Sequence, residues 1–297
     1  MERELFEQVA RDAADVRGYR VHPSVPQGAC APFRELRLQW SAAWDLGCAA
    51  PQPTPDELES FYKGEYRRVM GKARGVASYL ESPNYRAQTR SQVDWVVAEV
   101  HGHGRWLDVG AGYGLLVREV ADALPAWSRL ALEPDAEAQT DLGQVAEVLP
   151  CSDLAALDGG HFDVISCSHV LEHVADPLAY LGEARDRLRA SGLLLLEVPN
   201  DDREALTDAN RKSDLPHLWF FSRAGLERLV QAAGFSIVRS AELGLERPGT
   251  PVGLGLRARR FLRRRFHGNL SLLDDPTWYT EGVNRTDLRI LARRGGV

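Results

Sequence analysis

The apolar and polar positions of the first hundred residues predict helices separated by irregular segments. In "TPDELESFY", Thr54 can cap a helix whose first turn holds Pro55, and Glu57 completes a capping box. A second helix is predicted over about 83–100. Residues 1–100 are therefore expected to form a helical extension that lies over a second, larger domain.

From Arg105 onward, short apolar runs alternate with segments of helical period. Five apolar runs predict strands separated by helices, and two more strands close the sheet; the seven runs are 105–110, 129–134, 145–149, 162–168, 193–199, 236–243 and 287–294. This alternation predicts one α/β domain over 101–297. Its fold is expected to be a doubly wound, mostly parallel, seven-stranded sheet with helices on both faces.

Capping residues mark two helices of this domain. Asp176 is predicted to begin a helix that Gly192 ends, and Ser222 begins another that Gly234 ends. Between the last two predicted strands lies an insertion, residues 244–286, which is long for a plain connection. The insertion is predicted to be a substrate lid.

The composition indicates a soluble globular protein, with 44% hydrophobic and 26% charged residues. Lys and Arg number 36 against 42 Asp and Glu, and the net charge of −6 argues against a nucleic-acid partner. The four cysteines lie far apart, which disfavours a disulfide scaffold. No apolar run is long enough to span a bilayer, and the N-terminus lacks a signal-peptide core. We therefore expect a cytoplasmic protein without a membrane partner.

A glycine-rich turn, "DVGAGYG" at 108–114, joins the first predicted strand to a helix. Gly110 and Gly112 allow a tight turn and a close approach of the backbone to a ligand. Leu115 stands where the dinucleotide fingerprint has its last glycine, which disfavours an NAD-dependent oxidoreductase. Asp108 suits a cationic amino-acid ligand better than a pyrophosphate.

Two further acidic residues follow the next two predicted strands. Glu133 lies 21 residues after Gly112, a position suited to the hydroxyls of a ribose. Asp153 follows the third strand and is placed to meet an adenine amino group. Because ligands bind at the carboxyl ends of strands in open α/β sheets, the ordered series is a stronger indication than any single acid.

His169, Glu172 and His173 form an H-x-x-E-H pattern, the inverted zinc-peptidase signature. A zinc peptidase needs both histidines inside a substantial helix. Here a strand-like run ends at Ser168 and the next helix begins only at Asp176, so little helix is left for the motif. We expect these residues to lie in the loop after the fourth strand, beside a ligand.

These motifs resemble class I S-adenosylmethionine-dependent methyltransferases, with the Rossmann-like fold of that family. The resemblance covers about 105–240 and is closest to the branch of sugar and natural-product methyltransferases, although the upstream zinc-binding cysteines of some members are missing. It is carried by "LDVGAGYG", "LEPD", "CSDL", "FDVISCSHVLEHVADP", "SGLLLLEVPN" and "HLWFFSRAGLERLVQAAGF". The resemblance implies S-adenosyl-L-methionine as cofactor, bound by Asp108, Gly110, Gly112, Glu133, Asp153 and Ser168.

The resemblance also implies a reaction: methyl transfer to a small polar acceptor, most simply a hydroxyl of a sugar or natural-product scaffold. His169 is the first candidate for the base and His217 the second, with no metal expected. N- or C-methylation, and a non-catalytic cofactor-binding subunit, are the alternatives.

A further alternative involves a metal ion. Small-RNA 2′-O-methyltransferases and some quinone-ring O-methyltransferases resemble this stretch and hold a divalent metal there. In this chain His169, Glu172, His173 and His217 offer such a site for a diol or an RNA ribose. His169 stands where those relatives tend to carry an acid.

Six arginines are concentrated in 257–265. They predict either a solvated helix face or a patch that recognises an anionic or carrier-linked acceptor. A homodimer is a further expectation, and nucleic acid is not.

Overall fold

The computed structural model describes residues 4–27, 29–66, 79–151, 153–157, 159–246 and 278–295. Its helices are α1 Glu4–Asp12, α2 Ala31–Arg34, α3 Pro55–Gly64, α4 Pro83–Val97, α5 Leu115–Ala123, α6 Ala136–Leu142, α7 Pro177–Arg187, α8 Arg203–Thr207 and α9 Arg223–Ala232. Its strands are β1 Ala14–Gly18, β2 Arg37–Ser41, β3 Leu46–Ala50, β4 Arg105–Val109, β5 Ser128–Leu132, β6 Glu147–Leu149, β7 Phe162–Ser168, β8 Leu188–Pro199, β9 Trp219–Phe221, β10 Phe235–Glu246, β11 Trp278–Glu281 and β12 Asp287–Arg294.

The larger sheet has the order β11-β10-β12-β8-β7-β4-β5-β6. Strands β4 to β8 pair in parallel, and β10, β11 and β12 pair antiparallel. The predicted α/β fold with a mostly parallel sheet is therefore confirmed. The sheet has eight strands instead of seven, because β10 continues to Glu246 and its last residues pair with β11.

The N-terminal part differs from the purely helical extension that was predicted. It contains β1, β2 and β3, which form an antiparallel sheet with β9 from the C-terminal part of the chain. In β2, Leu38 and Trp40 are buried and alternate with more exposed residues, which is the period of a half-buried strand. The helical expectation was wrong for residues 14–18, 37–41 and 46–50, because the sheet of these short strands is completed by pairing with a segment far along the sequence.

Helix starts were predicted well from capping residues. The capping box at Thr54 is present: its hydroxyl accepts a hydrogen bond from the Glu57 amide, and Glu57 accepts one from the Thr54 amide. Asp176 caps α7 and Ser222 caps α9 with their side-chain oxygens. These local hydrogen bonds satisfy helix N–H groups without tertiary context, which is why the sequence reveals them.

Of the two helix ends predicted from glycines, one is correct and one is wrong. Gly234 follows α9 with a φ of 88°, as expected for a glycine that ends a helix. Gly192 does not end α7, which stops at Arg187, because β8 already begins at Leu188. The strand is longer than its apolar run, and Gly192 lies within it.

The leucines of β8 separate two hydrophobic cores. Leu194 and Leu196 belong to a core that the N-terminal sheet shares, whereas Leu193 and Leu195 belong to a core that includes Trp95 of α4. All four leucines are at most 2% exposed. Burial on both faces explains the uninterrupted apolar run, which is typical of a parallel sheet between two layers. No helix among the residues that the structure describes is long and apolar enough to cross a membrane.

Helix α9 begins against the turn between β2 and β3. The Ser222 hydroxyl contacts the Asp45 carbonyl oxygen at 2.9 Å, and a Cβ added at Gly225 would lie 2.1 Å from the same oxygen. Gly182, in α7, has no atom within 4 Å of an added Cβ. Close packing therefore explains the glycine at position 225 but not the glycine at position 182.

We expect Gly225→Ala to destabilise the protein by about 1–3 kcal/mol, because the methyl group would force α9 away from the N-terminal sheet. Gly182→Ala should instead stabilise it by up to about 1 kcal/mol through helix propensity. Urea unfolding of the two variants measures both changes. Equal effects of the two substitutions would contradict the close packing of α9 on the N-terminal sheet.

Candidate active site

The glycine turn after β4 combines left-handed backbone with close packing. Gly110 and Gly112 have φ values of 66° and 54°. A Cβ at Gly110 would lie 2.6 Å from Val170 Cγ2, whereas a Cβ at Gly112 would meet no atom of the described residues within 4 Å. The turn therefore packs against the segment after β7 at Gly110 and has open space at Gly112.

Asp108 lies at the base of this turn and is 3% exposed. The Ser166 hydroxyl donates a hydrogen bond to its Oδ1 at 2.6 Å, and Ser166 in turn accepts one from the Trp106 indole at 2.7 Å. Burial raises the pKa of Asp108 to about 7, and the nearby charge of Glu133 adds to the rise while the Ser166 bond opposes it. A cation that binds beside Asp108 would therefore favour its ionised form.

Glu133, at the end of β5, holds the glycine turn in place. Its Oε2 accepts a hydrogen bond from the Gly112 amide at 2.6 Å, and its Oε1 accepts one from the Asp135 amide at 2.9 Å. The residue is 7% exposed. The structure thus brings together four of the predicted cofactor residues, Asp108, Gly110, Gly112 and Glu133, at the carboxyl edge of β4 and β5.

The other two predicted cofactor residues make local contacts. Asp153 is exposed, and its Oδ1 accepts a hydrogen bond from the Ala155 amide at 2.9 Å, which caps a short 3₁₀ turn. Ser168 ends β7, and its hydroxyl accepts a hydrogen bond from Gln92 Nε2 at 2.9 Å. Their roles in cofactor binding stay predictions.

His169 follows β7 with a φ of 55°, a left-handed conformation that is uncommon for a residue with a side chain. Its amide donates to the Glu197 carbonyl oxygen at 2.8 Å, which holds this conformation. The residues that follow, Leu171–His173, form a single 3₁₀ turn. The H-x-x-E-H motif therefore does not lie on the long helix that a zinc peptidase requires, as predicted.

The His169 ring lies among carboxylates. Its Nδ1 is 3.4 Å from Glu172 Oε1, and its Nε2 is 3.4 Å from Asp287 Oδ1 and 4.0 Å from Glu197 Oε1. Burial alone would lower the pKa of His169, but these three carboxylates outweigh it and raise the pKa to about 9. At neutral pH the ring is therefore protonated.

Glu197 is a functional-site residue that the sequence reasoning missed. Its carboxylate forms a fully buried ion pair with Arg289 and accepts a hydrogen bond from Gln88 Nε2 at 2.5 Å. The Gln88 amide also lies 3.3 Å from His169 Nε2. The sequence could have indicated Glu197, because it is a charged residue near the end of the apolar run of β8. A charge that is buried there requires a partner. The sequence did not indicate that the partners would be Arg289 and Gln88.

Glu172 is the centre of a second group of titratable side chains. It is 1% exposed, and neither carboxylate oxygen has a hydrogen-bond partner among the described residues. The His173 Nε2 lies 3.6 Å from its Oε1, and one ligand atom each from Glu172, His173 and His217 lies within 4.8 Å of the others. A carboxylate and two imidazoles are a ligand set for divalent transition metals.

The pKa values in this second group favour an ionised carboxylate at Glu172 and a neutral imidazole at His173. Burial raises the pKa of Glu172, but the histidines around it outweigh burial and lower the pKa below its usual value. Burial lowers the pKa of His173 to about 4, despite the opposing effect of Glu172. A neutral imidazole beside a carboxylate is the protonation state in which both bind a cation.

The N-terminal part contributes side chains to both groups. The Tyr62 ring lies 6.1 Å from the His173 ring, and its buried hydroxyl has no hydrogen-bond partner among the residues described. From α4, Gln88 and Gln92 reach Glu197 and Ser168. Residues before β4 therefore form part of the site.

His217 lies between α8 and β9 and is close to Asp201 as well as to Glu172. Its Nδ1 is 3.5 Å from Asp201 Oδ2. Burial raises the pKa of Asp201, but His217 and Arg211 outweigh burial and lower it to about 2. The arginine segment 257–265 and most of the predicted insertion lie outside the described residues.

Comparisons with known proteins agree with the fold. Residues 76–240, more than half of the chain, match a family model described as a methyltransferase domain. A ubiquinone biosynthesis O-methyltransferase from Xanthomonas campestris pv. campestris (strain B100) is 34% identical over 119 residues, which are 37% of this chain and 49% of that protein. The chain thus spans about half the length of this relative.

Two more similarities extend further along the chain. A tRNA U34 carboxymethyltransferase from Hahella chejuensis is 27% identical over 218 residues, covering 64% of this chain and 63% of that protein. The structure of 1,6-didemethyltoxoflavin-N1-methyltransferase from Burkholderia thailandensis, with bound 1,6-didemethyltoxoflavin and S-adenosylhomocysteine, superposes with a TM-score of 0.53 and 18% identity. It covers 84% of this chain and 96% of the other, which shows a shared fold. The match to the family model, on this fold, shows that the chain belongs to the methyltransferase domain family, as a class I S-adenosylmethionine-dependent methyltransferase.

Proposed function

We propose that the protein transfers a methyl group from S-adenosylmethionine to a hydroxyl of a small polar acceptor, such as a sugar or another natural-product scaffold. The observation that carries this proposal is the position of His169. It directly follows β7, beside the glycine turn that Val170 contacts, and it is held between Glu172 and Asp287. A proton-binding side chain at the edge of the cofactor loop suits an acceptor that loses a proton.

The residues at the ends of β4 and β5 fit the cofactor. Asp108 is a buried carboxyl that contacts no lysine or arginine among the described residues, which suits the ammonium of a methionine moiety. Gly112 has open space above its Cα, so that a ligand can approach the backbone. Glu133 would hold the ribose and Asp153 the adenine. When bound, S-adenosylmethionine supplies an electrophilic methyl group on a sulfonium.

The protein's own part in such a reaction is alignment and proton transfer. Methyl transfer is an in-line displacement, so that the acceptor oxygen must be held in line with the methyl carbon. His169 would accept the acceptor's proton, with His217 as the second candidate. Because the carboxylates around His169 keep the ring protonated at neutral pH, it must first release that proton to act as a base.

Glu172 favours a second candidate, metal-assisted O-methylation. Its two buried oxygens, which accept no hydrogen bond from the described residues, and the His173 and His217 rings are suited to a divalent cation. A bound cation would polarise an acceptor hydroxyl and lower its pKa. The other group, formed by His169, Glu197 and Asp287, is a poorer metal site, since the buried Arg289 already neutralises Glu197.

The acceptor is proposed to be a small molecule, whose anionic character and whose recognition by the arginine segment stay predictions. The O-methyltransferase relative supports a hydroxyl acceptor. Mass spectrometry of a library of hydroxylated and amine acceptors, incubated with labelled S-adenosylmethionine, tests this directly. Label in amines alone would replace the proposal with N-methylation, and label in no acceptor would support a non-catalytic role.

Cofactor binding should depend on pH through Asp108. The ammonium of the cofactor binds the ionised carboxyl, whose pKa in the free protein is raised to about 7 by burial. Affinity should therefore fall about tenfold for each pH unit below 7 and level off above it, with release of one proton. Calorimetry at about pH 6 in buffers of different ionisation enthalpy measures that proton.

Asp108→Asn should remove this pH dependence and weaken binding about 10- to 100-fold at about pH 8, because a charge-assisted hydrogen bond is lost. Asp163→Asn is the matched control, since Asp163 lies at the opposite end of β7. Cofactor affinity that does not change with pH in the wild-type protein would contradict the assignment of Asp108.

The base mechanism predicts that methyl transfer survives exhaustive chelation. His169→Ala should then lower kcat by about 10²–10⁴-fold with cofactor affinity nearly unchanged. His161→Ala, a histidine at the far end of β7, is the control. Loss of activity on chelation, with recovery on adding Mn²⁺ and no recovery in His173→Ala, would establish the metal-assisted candidate instead.

A further inference from the structure

The backbone around His217 is fixed by three hydrogen bonds. The His217 amide donates to the Asp214 carbonyl oxygen at 2.9 Å, and the Tyr19 hydroxyl donates to the His217 carbonyl oxygen at 2.9 Å. The next amide, of Leu218, donates to the Glu172 carbonyl oxygen at 2.8 Å. His217 is therefore held at a constant distance from the Glu172 backbone, with only its ring free to rotate about its side-chain bonds.

The ring of His217 lies near two carboxylates. Its centroid is 5.1 Å from that of His173, and a ring nitrogen lies within 4.8 Å of the Glu172 carboxylate. Its buried Nδ1 is 3.5 Å from Asp201 Oδ2, at the outer limit for a hydrogen bond, and has no other hydrogen-bond partner among the described residues. Asp201 is 6% exposed, and its amide donates to the Phe221 carbonyl oxygen at 3.1 Å, so that its position is fixed by β9.

Asp201 is the last carboxylate of a buried chain of alternating charges. Arg211 donates to both of its oxygens, at 2.5 and 3.2 Å, and donates through Nε to Asp214 Oδ1 at 2.7 Å. Asp214 also accepts two bonds from Arg17 of β1, at 2.6 and 2.8 Å. The order Arg17, Asp214, Arg211, Asp201 is neutral as a whole and ends at the His217 ring.

We propose that Asp201 is the positioning residue of His217. It holds the ring with Nδ1–H directed at Asp201 Oδ2, so that Nε2 carries the lone pair. A neutral imidazole carries its proton on one nitrogen only, and an acceptor beside Nδ1 selects that tautomer. The geometry stands independently of the proposed function, and its catalytic consequence rests on that function.

The positioning of His217 has the same consequence whether the ring acts as a base or as a metal ligand. A ligating or proton-accepting histidine needs a lone pair at the nitrogen that faces the site, and a carboxylate behind the other nitrogen supplies it. Because Arg211 already neutralises Asp201, the ring does not need to be charged to satisfy this carboxylate. Arg17 of the N-terminal strand β1, and Tyr19 just after that strand, support the arrangement from outside the parallel sheet.

The tautomer of His217 tests the proposal without any ligand or acceptor. With ¹⁵N-labelled histidine, nitrogen chemical shifts at about pH 8 distinguish a protonated from an unprotonated ring nitrogen. His217→Gln identifies the resonances. We expect the wild-type protein to show Nδ1 protonated and Nε2 unprotonated.

Asp201→Asn should invert this result. The introduced amide must present its oxygen to Arg211, so that its NH₂ faces the ring and donates to Nδ1, which moves the proton to Nε2. Asp202→Asn is the matched control, because Asp202 is adjacent, carries the same charge and caps α8 without contacting His217. An Nε2–H tautomer in the wild-type protein, or an unchanged tautomer in Asp201→Asn, would overturn the proposal.

Two further measurements separate this proposal from the proposed function. If the metal-assisted candidate holds, Asp201→Asn should weaken Mn²⁺ binding about 10- to 100-fold, measured by calorimetry, with Asp202→Asn unchanged. Unchanged Mn²⁺ affinity in Asp201→Asn would overturn the positioning role, provided that His217→Gln loses the metal. A wild-type protein that transfers no methyl group would overturn the proposed function and leave the tautomer result intact.

Discussion

The buried ion pair between Glu197 and Arg289 sets the geometry of the site. Both side chains are fully buried, and the two residues are direct cross-strand partners in β8 and β12. Removing either partner would leave an uncompensated buried charge, which costs about 3–5 kcal/mol. A slip of β12 by one residue would move Arg289 to the other face of the sheet, so that the pair fixes the strand register. That register places Asp287 at the end of β12, beside His169.

The buried carboxylates of the site differ in whether a lysine or an arginine contacts them. Glu197 and Asp214 are paired with arginines, and both serve as structural anchors. No lysine or arginine among the described residues contacts Asp108 or Glu172, although the protonated His169 ring lies 3.4 Å from Glu172. Uncompensated burial of a carboxyl is unfavourable unless a ligand supplies the missing charge. We propose that a cofactor ammonium supplies the missing charge beside Asp108, and that a proton on His169 or a metal ion supplies it beside Glu172.

Local signals in the sequence predicted much of this arrangement. The period of the apolar positions revealed the strands of the parallel sheet, and side-chain caps such as Asp176 and Ser222 revealed helix starts, because both depend on neighbouring residues. The glycine turn and Glu133 were found for the same reason. The N-terminal strands, the end of α7 and the Glu197–Arg289 pair were missed. Each depends on residues distant along the chain, as with β3 and β9, which are separated by more than 160 residues.

We propose that the carboxyl edge of β4, β5 and β7 binds the cofactor with its reactive end toward His169. A crystal structure of the protein with S-adenosylhomocysteine would show where the cofactor binds. We expect the ligand's ammonium to lie within hydrogen-bond distance of Asp108, its ribose hydroxyls to contact Glu133, and its sulfur to lie on the side of His169. A ligand bound elsewhere on the sheet, or one whose sulfur faces away from His169, would disprove this binding site.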